Sequence, residues 1–297
     1  MHTLAFKDKP LFDRYLMSCK HELSVYAFAN IYIWKGLFDI RWSLIDNALC
    51  IFFIDATGCF LYVPPLGKYT GPHVIDEVFR IMDAHNKHKA VSRIENVHSF
   101  DIDMYRGWGY KDVLKSVDYV CRRSELSGLR GDRFKSKRSC CNYFVKHYDF
   151  QYRPFSSKDA GECLTVYEQW QFSRSCACSD TVYRGMIDDS RKALAILLEN
   201  HREIDCQGRV VTINDEIKAF TFGFELNAET FCVLYEVADL SIRGISQYIF
   251  RRFSDEMKQY EYINIMDDSG LKNLSRVKES YHPVKKIPSY LIVRHND

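Results

Sequence analysis

The chain has 297 residues, of which 46% are hydrophobic and 14% aromatic. This composition supports a packed core and argues against intrinsic disorder, and the length favours two domains. The 41 basic and 39 acidic side chains leave a net charge of only +2, so the charge balance predicts no general attraction to nucleic acid.

The sequence predicts a cytoplasmic protein without a transmembrane segment. Residues 1–20 lack an apolar segment after a basic N-terminal region, so they do not resemble a secretory signal. The most apolar stretch, Leu49–Ile54, is far shorter than the roughly 20 residues that a spanning helix needs.

Cysteine and histidine spacing does not predict a metal site. The 11 cysteines include the pairs Cys140-Cys141 and Cys176-Ala-Cys178, but no C-x-x-C. The closest histidines, His85 and His88, match the usual helical ligand spacing poorly. We therefore expect reduced thiols that pack as small hydrophobic groups. Neither a P-loop nor a G-x-S-x-G sequence is present, so kinase and serine hydrolase chemistry lack support.

The first half of the chain contains several short elements of alternating type. In chain order, the pattern predicts a hairpin of Leu49–Ile54 and Cys59–Val63, a helix over His73–His88, and strands over Ser92–Val97 and Val113–Cys121.

A basic segment lies between the two halves, from Ser124 to Tyr148. Within nine of its positions there are five basic side chains: Arg130, Arg133, Lys135, Lys137 and Arg138. The simpler interpretation is a solvated helix face. The alternative is a phosphate-binding surface for RNA, a lipid headgroup or a nucleotide.

The second half has a clearer pattern, which predicts an α/β fold with mixed sheets. Its elements follow the order α-α-β-β-β-α-β-α-β. They are predicted over 158–174, 190–201, 209–213, 217–226, 230–238, 245–260, 262–266, 271–281 and 289–293. The first half follows a weaker version of this order, which suggests a structural duplication.

The strand predicted at 262–266 ends in Asp267 and Asp268, and a glycine and a helix follow. Open α/β sheets place functional groups at such strand ends. The two carboxylates could raise each other's pKa or hold a substrate ammonium group, but helix capping is favoured for one of them. Asn264 is a polar residue inside the predicted strand, and Lys278 could bind a phosphate or be a solvated helix lysine.

The order of the second half resembles that of the N-acetyltransferase (GNAT) fold. That fold places a donor pyrophosphate at the N-terminus of the helix after its fourth strand, where free amides and the helix dipole suit an anion. The corresponding turn here is 241–246, with Arg243 and Gly244. It lacks the full Arg/Gln-x-x-Gly-x-Gly/Ala signature, and this difference counts against acyl-CoA as the donor.

Nearly the whole chain resembles the soluble relatives of the C-terminal domain of bacterial phosphatidylglycerol lysyltransferase. The matching residues are Phe28–Trp34, Pro64–Gly67, Asp118–Val120, Leu129–Gly131, Lys137-Arg138, Glu236, Arg243-Gly244 and Tyr262–Pro283. The resemblance implies two tandem GNAT-like domains over 1–123 and 151–297, joined by a basic connecting segment over 124–150.

The function implied by this resemblance is transfer of an acyl or aminoacyl group to an amine or hydroxyl acceptor. The donor would be acyl-CoA or aminoacyl-tRNA as a co-substrate, with no permanently bound cofactor. A peripheral contact with anionic lipid is a further expectation, and transfer to phosphatidylglycerol is one form of the reaction. The pattern leaves the oligomeric state open.

The resemblance also implies roles for individual residues. Glu236 would be the base and Tyr281 the acid, although a solvated strand-end carboxylate and a packed aromatic would look the same in sequence. Asp267 and Asp268 are also candidate catalytic residues. The donor phosphates would be bound by Lys137, Arg138, Arg243, Gly244 and Lys278, and the substrate by Asn264 and Ser280.

Some positions depart from the family pattern. Arg and Glu usually follow the equivalent of Asn264, where this chain has Ile265 and Met266, and Ser139 replaces a common Asn. These differences remove charge from the predicted site. They favour a second hypothesis, a non-catalytic binding or regulatory protein that keeps the GNAT fold.

Overall fold

The computed structural model describes residues 1–19, 21–68, 70–177 and 180–295. Its contacts define two compact units. The first unit contains Met1–Tyr119, Met266–Lys278 and Lys285–Asp297, and the second contains Val120–Ile265 and Glu279–Val284. Both units are therefore assembled from segments that are distant in sequence.

Strands and helices alternate along the described chain. The strands are β1 (His2–Thr3), β2 (Asp39–Ile45), β3 (Ala48–Ile54), β4 (Cys59–Leu61), β5 (Ile94–His98), β6 (Tyr110–Arg122), β7 (Gln151–Pro154), β8 (Gln207–Ile213), β9 (Glu216–Asn227), β10 (Thr230–Ala238), β11 (Tyr262–Asp267) and β12 (Lys285–Arg294). The helices are α1 (Lys9–Ser18), α2 (Phe28–Tyr32), α3 (Pro72–His85), α4 (Ile102–Gly107), α5 (Arg123–Gly128), α6 (Lys135–His147), α7 (Ala160–Ala177), α8 (Thr181–Asn200), α9 (Ile245–Glu256) and α10 (Lys272–Glu279).

The sheet of the first unit has the order β1-β2-β3-β4-β5-β12-β6. Strand β12 pairs antiparallel with β5, so the end of the chain returns to the first unit. Among the residues that the structure describes, β4 and β5 share one parallel pair, Leu61 with Ile94. These two strands therefore separate soon after they meet.

The core of the first unit lies between this sheet and helix α3. Val74, Val78 and Met82 recur at four-residue spacing on α3 and are fully buried. They pack with strand residues such as Phe52 and Leu61 in one apolar cluster. The helical period and the all-apolar β3 together produce this layer.

The sheet of the second unit has the order β11-β10-β9-β8-β7. Strands β8, β9 and β10 form the predicted antiparallel meander, because short polar turns connect them. In the first turn Asn214 and Asp215 have φ angles of 51° and 64°, as a type I′ hairpin turn requires. Strand β11 instead runs parallel to β10.

Helices cover the second sheet where the sequence has apolar residues at helical spacing. Ile245, Ile249 and Phe253 of α9 are buried, and Phe144 of α6 packs in the same cluster as Ile245 and Ile249. The basic segment is thus not an extended linker, since its residues form α5 and α6 within the second unit.

The order of elements repeats along the chain. A short strand, two helices, three strands, a helix, a strand, a helix and a final strand occur first as β1 to β6 and again as β7 to β12. Sequence patterns identified most of the second series. They did not identify β1, β2, α1, α2 and α4 of the first series, or β7. Helix α8 also begins about nine residues before the predicted start at 190.

A buried carboxylate on β5 makes the stability of the first unit depend on pH. Glu95 has 9% of its side chain exposed and forms ion pairs of 2.6 Å with both Arg93 and Lys115. Burial acts to raise the pKa of Glu95, but the two cations hold this pKa below its ordinary value. The ionised pair therefore stabilises the fold above the unfolded pKa, and this contribution is lost as the pH falls through the folded pKa.

We expect Glu95→Gln to be less stable than the wild type by about 2 kcal/mol at neutral pH, because charge-assisted hydrogen bonds are lost. The difference should shrink once the pH falls below about 4.5, the unfolded pKa. Urea unfolding of both proteins at pH 7 and pH 3 measures it. A difference that stays constant between these two pH values would contradict the assignment.

Candidate functional site

Strands β10 and β11 separate beside Glu236. Their parallel pairing covers only three pairs, from Thr230 with Tyr262 to Cys232 with Asn264. Strand β10 then has a register shift between Val233 and Tyr235 in its pairing with β9. A bulge of this kind bends a strand and redirects its side chains. Glu236 follows the bulge, where no further pair with β11 is recorded among the described residues.

Asn264 occupies the last paired position of β11. It is fully buried, although its neighbours along the strand are mostly apolar. A buried amide in a strand interior requires polar partners. Asn264 therefore places a polar group at the level where the two strands begin to separate.

Three of the predicted residues form one cluster in the second unit: Lys137, Ser280 and Tyr281. The Lys137 ammonium lies over the Tyr281 ring, 3.8 Å from its centroid. The same ammonium donates a hydrogen bond of 2.7 Å to Ser280 Oγ. Phe250 of α9 packs against Tyr281 with 4.6 Å between ring centroids. The phenol is thus fixed between a cation and an aromatic ring.

The charge of Glu236 acts on the same cluster. Burial is the main reason why the pKa of Tyr281 lies well above its ordinary value, and the Glu236 carboxylate raises it further. Burial lowers the pKa of Lys137, while Glu236 opposes this shift. At neutral pH Tyr281 is therefore a protonated phenol, beside a carboxylate and a partly desolvated ammonium group.

The turn before α9 has the geometry expected of a donor loop, but another helix packs closely against it. Gly244 has a φ angle of 88° and precedes α9 without a side-chain cap. A Cβ atom at this position would overlap the backbone carbonyl of Cys140 on α6. Close packing of α6 is thus a sufficient reason for this glycine. Arg243 is exposed and stacks on Tyr143, 4.4 Å from the ring centroid.

Arg138 has a structural contact in the second unit. Its guanidinium donates hydrogen bonds to the backbone carbonyls of Leu129 and Gly131. It therefore holds the turn between α5 and α6, and these two bonds use donors that would otherwise be available to a phosphate.

Asp267, Asp268 and Lys278 belong to the first unit. Asp267 accepts a 2.5 Å hydrogen bond from the Ser269 amide, and Asp268 accepts one of 3.1 Å from the Gly270 amide. Asp268 also accepts a 2.8 Å bond from the Tyr119 hydroxyl. Both carboxylates therefore hold the turn that leads to α10, through Asx-turn hydrogen bonds to amides that precede its first residue, Lys272.

Sequence reasoning did not identify Phe250 as a residue of the cluster, since it appeared only within a predicted helix. Lys137 was predicted to bind phosphate, without any indication that its ammonium lies on Tyr281. The two residues are 144 positions apart, so local patterns could not relate them.

Within the described residues, no group of three or more His, Cys, Asp or Glu side chains is arranged to hold a metal ion. The described cysteines are free thiols, and Cys178 lies outside the described residues. Among the described residues, no helix is long and apolar enough to span a bilayer.

Comparison with known proteins identifies a family. The family model described as phosphatidylglycerol lysyltransferase, C-terminal, matches residues 18–293. No curated protein sequence matches the chain.

Solved structures share the fold over nearly the full chain. A conserved protein of unknown function from Bacteroides thetaiotaomicron has 27% sequence identity and a TM-score of 0.85, over 98% of this chain and 97% of that one. The C-terminal domain of a putative lysylphosphatidylglycerol synthetase from Agrobacterium fabrum has 12% identity and a TM-score of 0.65, over 97% and 92%. The structure of L-PGS from Bacillus licheniformis has 17% identity and a TM-score of 0.65, over 98% and 93%.

Proposed function

The chain belongs to the phosphatidylglycerol lysyltransferase C-terminal family, and on that premise we propose that it is a GNAT-type acyl- or aminoacyltransferase. The acceptor is an amine or a hydroxyl group, and phosphatidylglycerol is one candidate. The repeated order of elements supports two tandem GNAT-like domains over 1–123 and 151–297, with 124–150 between them in sequence. In the folded chain, however, β12 lies in the first compact unit and 124–150 in the second.

One observation carries the proposal. Glu236 follows the bulge where β10 and β11 separate, and its charge reaches both Lys137 and Tyr281. A carboxylate, a protonated phenol and an ammonium group thus occur together where the sheet opens. Acyl transfer needs these three types of group, a base, an acid and a positive charge.

The proposed reaction assigns one step to each group. Glu236 accepts the proton of the acceptor N–H or O–H as the acceptor atom forms a bond with the donor carbonyl carbon. The bond from that carbon to the donor oxygen or sulfur then breaks, and the Tyr281 hydroxyl protonates the leaving atom. Lys137 stabilises the resulting phenolate from the ring face. The proton held by Glu236 returns to Tyr281 through solvent.

The proposed donor is acyl-CoA or aminoacyl-tRNA. Arg243 and the free amides at the N-terminus of α9 are the candidate phosphate contacts, since helix N-termini attract anions. Asn264 and Ser280 are the candidate substrate contacts. The proposed chemistry does not use Asp267 and Asp268.

A non-catalytic binding protein is the second candidate function. Two observations favour it: α6 packs against Gly244 at the donor turn, and the positions after Asn264 hold the apolar Ile265 and Met266. Both reduce the polar surface that a donor could contact. Such a protein would bind a GNAT-type ligand without turning it over.

Thermal unfolding with CoA, acetyl-CoA and aminoacyl-tRNA, followed by a transfer assay with amine and phosphatidylglycerol acceptors, separates the two functions. A saturating donor at about 100 times its Kd should stabilise the protein by about 2.7 kcal/mol. For a transferase we expect this shift together with labelled product. A shift without product under any acceptor would support the binding protein, and neither shift nor product would contradict both.

A further inference from the structure

The second unit contains a basic cavity at the end of α9 opposite to the donor turn. Its volume is about 720 Å³, and its lining comes from α5, the turn after α5 and the C-terminal end of α9. Helix α9 has 12 residues, so the two ends are about 18 Å apart along the axis. The cavity is thus separate from the donor turn, and its lining includes none of Glu236, Lys137 and Tyr281.

The charges that line the cavity are unevenly paired. Among the described residues, Arg123, Arg130 and Lys258 line it without an acidic partner within ion-pair distance, whereas Arg133 pairs with Glu125 at 2.5 Å. The hydroxyls of Ser124 and Ser127 also lie on this surface. Arg123 also donates a 3.4 Å hydrogen bond to Ser127 Oγ. Three cations without a carboxylate partner, beside two serine hydroxyls, are suited to a phosphate group.

Other arginines hold the wall of the cavity in place. Arg251 donates a 2.8 Å hydrogen bond to the Ser127 carbonyl, and Arg138 bonds the carbonyls of Leu129 and Gly131. Leu129 and Phe134 are buried in a small core with Cys141. The turn is therefore fixed by structural arginines and apolar packing, and the lining cations are not needed for these bonds.

One acceptor in the wall lacks a partner. Glu125 Oε1 accepts from Arg133, but Glu125 Oε2 is buried and has no hydrogen-bond partner among the described residues. An unsatisfied buried carboxylate oxygen is costly, and rotation of the Glu125 side chain towards the cavity that it lines would let a ligand hydroxyl satisfy it. The cavity thus offers cations for a phosphate and an acceptor for a neighbouring hydroxyl.

We propose that this cavity binds a small phosphate ester that also carries hydroxyl groups, such as a sugar phosphate. The volume lies within the range of about 300–1,000 Å³ that is usual for small-molecule sites. This inference does not depend on acyl transfer, because it uses none of the residues assigned to that reaction and its readout is binding.

Isothermal titration of the full chain with ribose 5-phosphate and inorganic phosphate tests the proposal. In the triple variant Arg123→Gln, Arg130→Gln and Lys258→Gln we expect the affinity for ribose 5-phosphate to fall at least about tenfold, because direct charge-assisted contacts are lost. The control is Lys146→Gln, Lys158→Gln and Arg202→Gln, which removes the same charge from exposed positions of the same unit. Its affinity should change less than about threefold at physiological salt, where distant charges are screened.

The hydroxyl contact has its own readout. The wild type should prefer ribose 5-phosphate to inorganic phosphate, and Glu125→Ala should remove this preference. If the triple variant does not fold, Arg130→Gln alone, at an exposed position, should still weaken binding. The absence of binding to the wild type, or equal losses in the cavity and control variants, would overturn the proposal.

Discussion

Replacement of Glu236 by Gln is expected to lower the rate of acyl or aminoacyl transfer by at least about 100-fold, the usual contribution of a general base. Gln has nearly the same shape but cannot accept the acceptor proton. Glu236 is only partly buried, so the fold should persist. The measurement is turnover under saturating donor, together with the thermal unfolding temperature of each protein.

A matched control for this change is Glu216→Gln on the neighbouring strand β9. Glu216 is an exposed carboxylate paired with Lys218, and we expect turnover to remain at the wild-type level. Tyr281→Phe should reduce turnover by a smaller factor, because water can protonate some leaving groups in place of the phenol. Unchanged turnover in both Glu236→Gln and Tyr281→Phe would remove this site assignment.

Gly244→Ala is expected to destabilise the protein by at least about 3 kcal/mol, since backbone strain and overpacking add at this position. The φ angle of 88° disfavours any side chain, and the new methyl group would overlap the Cys140 carbonyl. Because that carbonyl belongs to the backbone of α6, the strain can be relieved only by moving the helix. Guanidinium unfolding of the full chain measures the loss.

Gly109→Ala is the matched control, because it separates strain from overlap. Gly109 has a similar φ angle of 85°, but nothing lies within 4 Å of a Cβ atom built there. Its loss should be only about 1 kcal/mol, from the positive φ angle alone. Equal losses in the two variants would show that α6 does not pack on Gly244 as described.

Sequence patterns in the second half were sufficient to predict most of its elements, but not β7. The four-residue spacing in α9 reflects burial of one helix face. Strands β9 and β10 are buried on both faces, and their aromatic-rich sequences between polar turns predicted them. Asn264 was recognised because it interrupts an apolar strand pattern, whereas the family resemblance identified Glu236. The first half was harder, because β1 and α2 have two and five residues and are too short for a period to be detected.

Local sequence therefore determined most element types and the meander, and the family resemblance supplied the candidate carboxylate and phenol. The tertiary structure alone decided that β12 returns to the first unit, that Lys137 lies on the ring of Tyr281 and that α6 packs on Gly244. Each of these contacts joins residues more than 100 positions apart in the chain. Their formation depends on the free energy of packing the whole unit, and a pattern within one segment carries no information about that packing.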